Sequence, residues 1–234
     1  MRLKNYAGIL AAYIWITGIF LAIAYWAGQA TTTVARMIPL ERQATVILDA
    51  GHGGVDGGAT SCTGILESKF NLDISLKLND LMHLLGYQTV MIRTEDVSVY
   101  TSGETIAAKK VSDLRQRVKI IRETENALLV SIHQNTFPDS RYSGPQVFYG
   151  TNGDSQALAK TLQTALNDGL NPTGNRMHKK AEGIYLLQHI DCTGVLIECG
   201  FLSNPLEEAK LRSDDYQRKL CCVIASTVGN FLDG

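Results

Sequence analysis

Two histidines and a glutamate each follow an apolar run, in positions where these side chains could hold a metal ion and move a proton. His52 lies in a glycine-rich loop after residues 46–48, and His133 directly follows residues 127–132. Glu198 ends a third apolar run, residues 194–197. Ligands of open α/β sheets bind beyond the carboxyl ends of parallel strands, where residues distant in sequence can meet. The pattern therefore predicts one site built from separate strand ends.

Two histidines and one carboxylate are a common zinc set, which leaves a fourth position open for water. The candidates for the carboxylate are Asp49, Asp56, Glu67 and Glu198. Glu67 fits best, because it opens an amphipathic helix directly after the glycine loop and so lies near the same edge as His52. Glu198 is then left free for proton transfer. A buried carboxylate without a partner costs several kcal/mol, so a metal, a cation or a proton is expected beside it.

The spacing of these residues is long-range, and no HExxH-type motif fixes their geometry. Two alternatives therefore stay open. The loop could be a glycine-rich turn with an incidental histidine, and Glu198 could lean out to solvent at a strand end.

The elements that must position these residues alternate between strands and helices. An apolar stripe at helical spacing predicts a helix after the loop: Phe70, Ile74, Leu78, Leu81 and Leu85. Residues 87–93 predict the next strand, which gives a βαβ unit with parallel pairing. The remaining pattern predicts a surface loop (94–112), helices (113–122, 155–170 and 215–231) and strands (127–132, 144–149, 183–187 and 194–198). One α/β domain accounts for this order.

The amino terminus has a different character. Arg2 and Lys4 precede a run without charge from Asn5 to Thr33, longer than the roughly 20 apolar residues that span a bilayer. We predict a signal anchor over residues 1–30, a linker over 31–44 and a domain over 45–234. The preceding positive charges place the amino terminus inside and the domain outside the membrane. A cleaved signal peptide is the alternative, and both versions export the domain.

The composition of the chain limits the classes of partner and of cysteine site that it can have. The formal net charge is -1, and no basic stripe of the kind that a phosphate backbone requires is present, so nucleic acid is excluded as a partner. The 5 cysteines are odd in number and form no CxxC pair. This argues against a disulfide scaffold and against a structural zinc cluster.

Four stretches resemble, in order, the motifs of the zinc-dependent N-acetylmuramoyl-L-alanine amidases: residues 49–59, Glu67, residues 131–135 and residues 197–204. The resemblance runs from about Thr45 to Leu232. It implies a single α/β domain with a mixed, mostly parallel sheet flanked by helices, here preceded by a hydrophobic amino-terminal helix. It also implies zinc held by His52, Glu67 and His133, with Glu198 as the catalytic glutamate and peptidoglycan as the substrate.

Within that family, the short chain is most similar to the germination-specific amidases of endospore formers. This implies removal of the peptide from muramic acid in the spore cortex, ahead of muramic lactam formation by a deacetylase. The rival hypotheses are a zinc peptidase acting within the stem peptide and a non-catalytic wall-binding module. Because no autoinhibitory helix is evident in the sequence, we also predict dependence on an accessory protein. Gln134-Asn135-Thr136 and Asn126-Ala127 depart from the family pattern around the third strand.

Overall fold

The computed structural model describes residues 15–26, 44–172 and 174–234. The chain divides into two units, residues 1–42 and Gln43–Gly234. In the first unit residues 15–26 are helical. Among the described residues, no helix is both long and apolar enough to cross a bilayer. The rest of the predicted segment 1–30 and all of the predicted linker except Ala44 lie outside the described residues.

Within residues 44–172 and 174–234, six strands form one sheet. They are β1 (Thr45–Ala50), β2 (Gln88–Met91), β3 (Ala127–Asn135), β4 (Gln146–Tyr149), β5 (Lys179–Lys180) and β6 (Thr193–Phe201). Their order across the sheet is β2-β1-β3-β6-β4-β5. The β1–β2, β1–β3, β3–β6 and β4–β5 pairs are parallel, and β4 runs antiparallel to β6. The predicted α/β class and the mixed, mostly parallel sheet are confirmed.

Helices cover both faces of this sheet. They are α1 (Glu67–Leu84), α2 (Ile106–Glu123), α3 (Ser155–Leu170), α4 (Tyr185–His189), α5 (Pro205–Leu211) and α6 (Asp214–Asp233). Successive side chains of a strand point to opposite faces. Val46 and Leu48 therefore pack in one core cluster with α1, α3 and α6, whereas Ile47 packs in the other with α2 and α4.

Two sequence-based element predictions were wrong. Residues 183–187 were predicted as a strand, but Tyr185–His189 is a short helix in which the adjacent Leu186 and Leu187 are both buried. A short apolar run fits a strand and a buried helical segment equally well by periodicity. Helix α2 also begins at Ile106 rather than at Asp113, because the Thr105 side chain accepts a hydrogen bond from Ala108 N and caps it.

The two central strands extend beyond their apolar runs. Strand β3 continues through His133 to Asn135, and β6 continues through Glu198 to Phe201. His133 and Glu198 are direct partners in the parallel β3–β6 ladder. Both side chains therefore stand on one face of the sheet, at the end where β1 passes into the glycine loop.

Candidate metal centre

Three side chains from separate elements converge at the carboxyl end of β1 and β3. The potential ligand atoms of His52, Glu67 and His133 all lie within 4.8 Å of one another. His52 Nε2 is 3.3 Å from Glu67 Oε2, and His133 Nδ1 is 3.0 Å from Glu67 Oε1. The loop after β1, the first residue of α1 and the end of β3 supply one group each.

Glu67 is the centre of this group and is almost fully buried. Its oxygens accept hydrogen bonds from Ala59 N at 3.0 Å, Gln134 N at 3.2 Å and Asn71 Nδ2 at 3.2 Å. Burial alone would raise the pKa of Glu67, but the two histidines outweigh burial and hold the pKa well below its usual value. The side chain is therefore a carboxylate at neutral pH.

The outer nitrogen of His52 is held by a second carboxylate. His52 Nδ1 lies 3.0 Å from Asp56 Oδ2, and Lys110 Nζ lies 3.1 Å from the same oxygen. A carboxylate that accepts the Nδ1 proton leaves the Nε2 lone pair free for a metal, as is usual for metal-binding histidines. Asp56, a candidate metal ligand by sequence, thus supports the loop through the His52 ring.

Two glycines make room for the candidate ligands. A β-carbon on Gly51 would lie 2.2 Å from His133 Nε2, and one on Gly58 would lie 2.6 Å from Glu67 Oε2. Gly58 also has a φ of +70°, a backbone conformation that residues other than glycine rarely adopt. The glycine loop is therefore shaped by the close approach of the candidate ligands.

His52 itself has a φ of 60°, an uncommon value for a residue with a side chain. The buried Arg117 of α2 holds this backbone by donating to His52 O at 2.7 Å and to Ala50 O at 3.0 Å. Arg117 also pairs with Asp49 and with Asp113, the latter at 2.6 Å. A residue keeps such a strained backbone conformation only where its surroundings hold it in place. The hydrogen bonds from Arg117 hold the backbone of His52 in this way.

Asp49 supports the same corner from the sheet. Ser131 Oγ donates to Asp49 Oδ2 at 2.6 Å, beside the Arg117 pair. Burial would raise the pKa of Asp49, but Arg117, His133 and Ser131 together lower it. Asp49 is therefore an ionised support for the loop.

A second buried arginine, Arg93, was not identified from the sequence. Its guanidinium donates to four backbone carbonyls, Ala50 O at 2.8 Å, Gly51 O at 3.0 Å, Ser68 O at 2.8 Å and Glu95 O at 2.9 Å. Arg117 was missed as well, although it lies one turn before Ile121 on the inward face of α2. An arginine in an otherwise apolar inward stripe is the sequence signal that could have indicated it.

Replacing Arg117 with Met is expected to lower the free energy of unfolding by about 3–5 kcal/mol, because Asp49 is left buried without its partner. Urea unfolding of the metal-free protein measures this change. The matched control is Arg115→Met on the exposed face of the same helix, which should change stability by less than about 0.5 kcal/mol. Equal effects of the two substitutions would contradict the role assigned to Arg117.

Glu198 stands beside the three-residue cluster, as the cross-strand neighbour of His133. Its Oε2 is shielded from solvent and has no hydrogen-bond partner within the described part of the chain. Burial is the main cause that raises the pKa of Glu198 to about 7; the charge of Glu67 adds to this, while His133 and His52 oppose it. A carboxyl group with a pKa near neutrality can both accept and return a proton.

This raised pKa predicts a pH-dependent stability difference in the metal-free protein. Between pH 4.5, the ordinary pKa of a glutamate, and about pH 7, the folded state keeps a proton on Glu198 that the unfolded state has lost. The contribution of Glu198 to stability therefore falls as pH rises through this window. Glu198→Gln should therefore raise the melting temperature over wild type at pH 8 and have little effect near pH 5. Thermal melts in EDTA test this, with the exposed Glu125→Gln as control. A gain that is independent of pH would contradict it.

The donor set fits zinc. Within residues 15–26, 44–172 and 174–234, two imidazole nitrogens and one carboxylate converge here without a fourth protein ligand, which is the composition of catalytic zinc sites. A cavity of about 190 Å³ adjoins His52 and His133, and Ile184 and Tyr185 line its other side. A substrate group can therefore reach the centre from the α4 side of the sheet.

Comparisons with known proteins agree with this geometry. A protein-family model described as N-acetylmuramoyl-L-alanine amidase matches residues 46–230. The germination-specific N-acetylmuramoyl-L-alanine amidase of Bacillus subtilis (strain 168) is 39% identical over 181 residues, which cover 76% of this chain and 76% of that protein.

Solved structures give the same result. The CwlD amidase from Clostridioides difficile, in complex with the GerS lipoprotein, superposes with a TM-score of 0.78 at 38% identity, covering 81% of this chain and 98% of that one. An N-acetylmuramoyl-L-alanine amidase from Clostridium difficile 630 superposes with a TM-score of 0.72 at 29% identity, covering 83% and 99% of the two chains.

Proposed function

Because the chain belongs to the N-acetylmuramoyl-L-alanine amidase family and is an enzyme of that class, we propose that it cleaves its peptidoglycan substrate with zinc. The bond is the amide between N-acetylmuramic acid and L-alanine. The metal ligands are His52, Glu67 and His133, and Glu198 is the catalytic glutamate. The observation that carries this proposal is the convergence of the three potential ligands beside Glu198, whose Oε2 is shielded from solvent and has no hydrogen-bond partner among the described residues.

The metal and the residues around it have separate tasks in this proposal. Zinc, when bound, supplies Lewis acidity that polarises the amide carbonyl and makes water a stronger nucleophile. Glu198 takes the proton of the attacking water and returns it to the departing amine, which leaves poorly without a proton. Asp56 keeps His52 in one tautomer, and Arg117 fixes the backbone that presents His52.

The test uses the full-length chain, purified with zinc and incubated with peptidoglycan. Mass spectrometry of the digested glycan strands should show muramic acid that has lost its whole peptide. Chelation should stop the reaction and added zinc should restore it. Products that keep L-alanine on muramic acid would indicate a peptidase and overturn the proposed bond. No cleavage by the zinc-loaded chain, alone or with an accessory protein, would indicate a non-catalytic module.

We further propose that the enzyme acts in the spore cortex. The hydrophobic segment of residues 1–30 exports the domain, and this segment either anchors the domain to the membrane or is cleaved off. The support is the 39% identity to a protein named as germination-specific. Amidase action there exposes the muramic acid that a deacetylase then converts to muramic lactam. Spores carrying only the Glu198→Gln chain should lack muramic lactam and form few colonies. Normal lactam content in such spores would contradict this role.

An accessory protein completes the proposal. The C. difficile CwlD amidase, which superposes on this chain, was solved with a lipoprotein bound. We propose that this chain likewise needs an exported partner that stabilises its metal site. Zinc content and activity should then both rise when the partner is co-purified. Full zinc occupancy and full activity of the isolated chain would contradict the dependence.

A further inference from the structure

A groove of about 670 Å³ opens near the amino-terminal end of β4, on the side of Glu198 away from β1. Its lining includes Arg141, Tyr142, Gln146, Arg176 and Lys179. Three of these five side chains are cationic. A groove of this size accommodates a short segment of a substrate rather than a single ion.

Arg176 is the half-buried cation of this groove. Its Nη1 donates to Gln146 Oε1 at 2.6 Å, its Nε donates to Ser143 O at 2.8 Å, and its guanidinium lies 4.7 Å from the centre of the Phe201 ring. These contacts are all to neutral groups. They fix the plane of the guanidinium, so the side chain is held in place before any ligand arrives.

The buried carboxylate of Glu207 attracts the charge of Arg176 from a distance but does not form an ion pair with it. Among the described residues, no carboxylate lies within 4.0 Å of its guanidinium. Its neighbour Arg141 differs, since Arg141 Nη2 is paired with Asp139 Oδ2 at 2.7 Å. A half-buried guanidinium with a fixed plane and no carboxylate partner is suited to bind a carboxylate from outside the chain.

The sheet connects this cation to the candidate metal centre. Gln146 is the direct partner of Glu198 in the β4–β6 ladder, and Glu198 is the direct partner of His133 in the β3–β6 ladder. The three side chains therefore form a row on one face. Neighbouring strands lie about 4.8 Å apart, so the Arg176 guanidinium, bound to the Gln146 side chain, is on the order of two residues of extended peptide from the scissile amide.

We propose that Arg176 determines substrate specificity by binding a carboxylate of the stem peptide, at the second residue beyond the scissile amide. This inference rests on the proposed function, because it takes the stem peptide as the group that leaves along β4. An acidic second residue is then bound by a bidentate guanidinium contact, and an amidated one loses that contact.

The experiment compares two muropeptides that differ only at the second stem residue, one with a free carboxylate and one with a carboxamide. Arg176→Gln should lower kcat/KM for the acidic substrate by about 10- to 100-fold, the usual range for one hydrogen-bonded charge pair. For the carboxamide substrate the change should stay within about threefold. Arg176→Lys should restore part of the loss on the acidic substrate, because it restores the charge.

Arg141→Gln is the matched control, since this arginine lines the same groove but is already paired with Asp139. It should leave the ratio of the two kcat/KM values unchanged. An equal loss on both substrates in Arg176→Gln would show a structural role and overturn the inference, while wild-type activity would still support the proposed function. If the wild-type chain cleaves neither substrate, the proposed function is contradicted, and the inference that rests on it is contradicted as well.

Discussion

Glu198→Gln is expected to lower kcat on peptidoglycan by about 100- to 10,000-fold, the usual contribution of general acid–base catalysis, while zinc content and fold are retained. The reason is that glutamine has nearly the shape of a protonated glutamate but cannot accept a proton. Glu198 is half-buried beside the cluster, and its Oε2 is shielded from solvent without a hydrogen-bond partner in the described part of the chain. In the metal-free protein burial raises its pKa to about 7, close to the value at which one group both takes and gives a proton efficiently.

The measurement is initial-rate kinetics on purified peptidoglycan, together with metal analysis of the same preparation. Glu125→Gln makes the same chemical change at an exposed position and should leave the rate unchanged. An inactive Glu198→Gln protein that had also lost its zinc would not support a proton-transfer role. A variant that kept more than about a tenth of wild-type kcat would contradict it.

The topology of the site could be predicted because it depends on strand ends. Each of three apolar runs stops at an ionisable residue, and parallel strands bring such ends to one edge. In the structure His52, Glu67, His133 and Glu198 do lie together at this edge. Their roles as ligands and catalyst stay predictions.

The restraints around the site could not be predicted in the same way. Arg93 and Arg117 act on backbone carbonyls of residues 50–52, and contacts of that kind leave no periodic pattern in a sequence. The groove near β4 was missed for a related reason. It depends on the antiparallel register between Gln146 and Glu198, which local sequence spacing does not specify.

The error at residues 183–187 has a physical cause that bears on the site. Ile184-Tyr185-Leu186-Leu187 is apolar enough for a strand, but the sheet position beside β6 is taken by β4. The segment therefore folds as the helix α4 over that face and buries Leu186 and Leu187 against it. Its amino-terminal end, with Ile184 and Tyr185, becomes a wall of the cavity beside His52 and His133.

The second large effect is expected at His133. His133→Ala should abolish amidase activity and lower zinc affinity by well over 100-fold, because loss of an outer-shell partner alone costs about 10- to 100-fold. The remaining pair, His52 and Glu67, leaves a bound ion with two protein ligands, one fewer than catalytic zinc sites use. Zinc measured by mass spectrometry after dialysis against a weak chelator gives the affinity directly.

His83→Ala is the matched control, because His83 is exposed near the far end of α1 and its side chain hydrogen-bonds only to Thr89 within residues 44–172 and 174–234. It should retain full zinc and full activity. The pattern across variants separates the two roles: Glu198→Gln should be inactive with zinc bound, whereas His133→Ala should be inactive because the zinc is lost. Full zinc retention by His133→Ala would show that the ion is held elsewhere and would remove the basis for assigning His52 and Glu67 as its ligands.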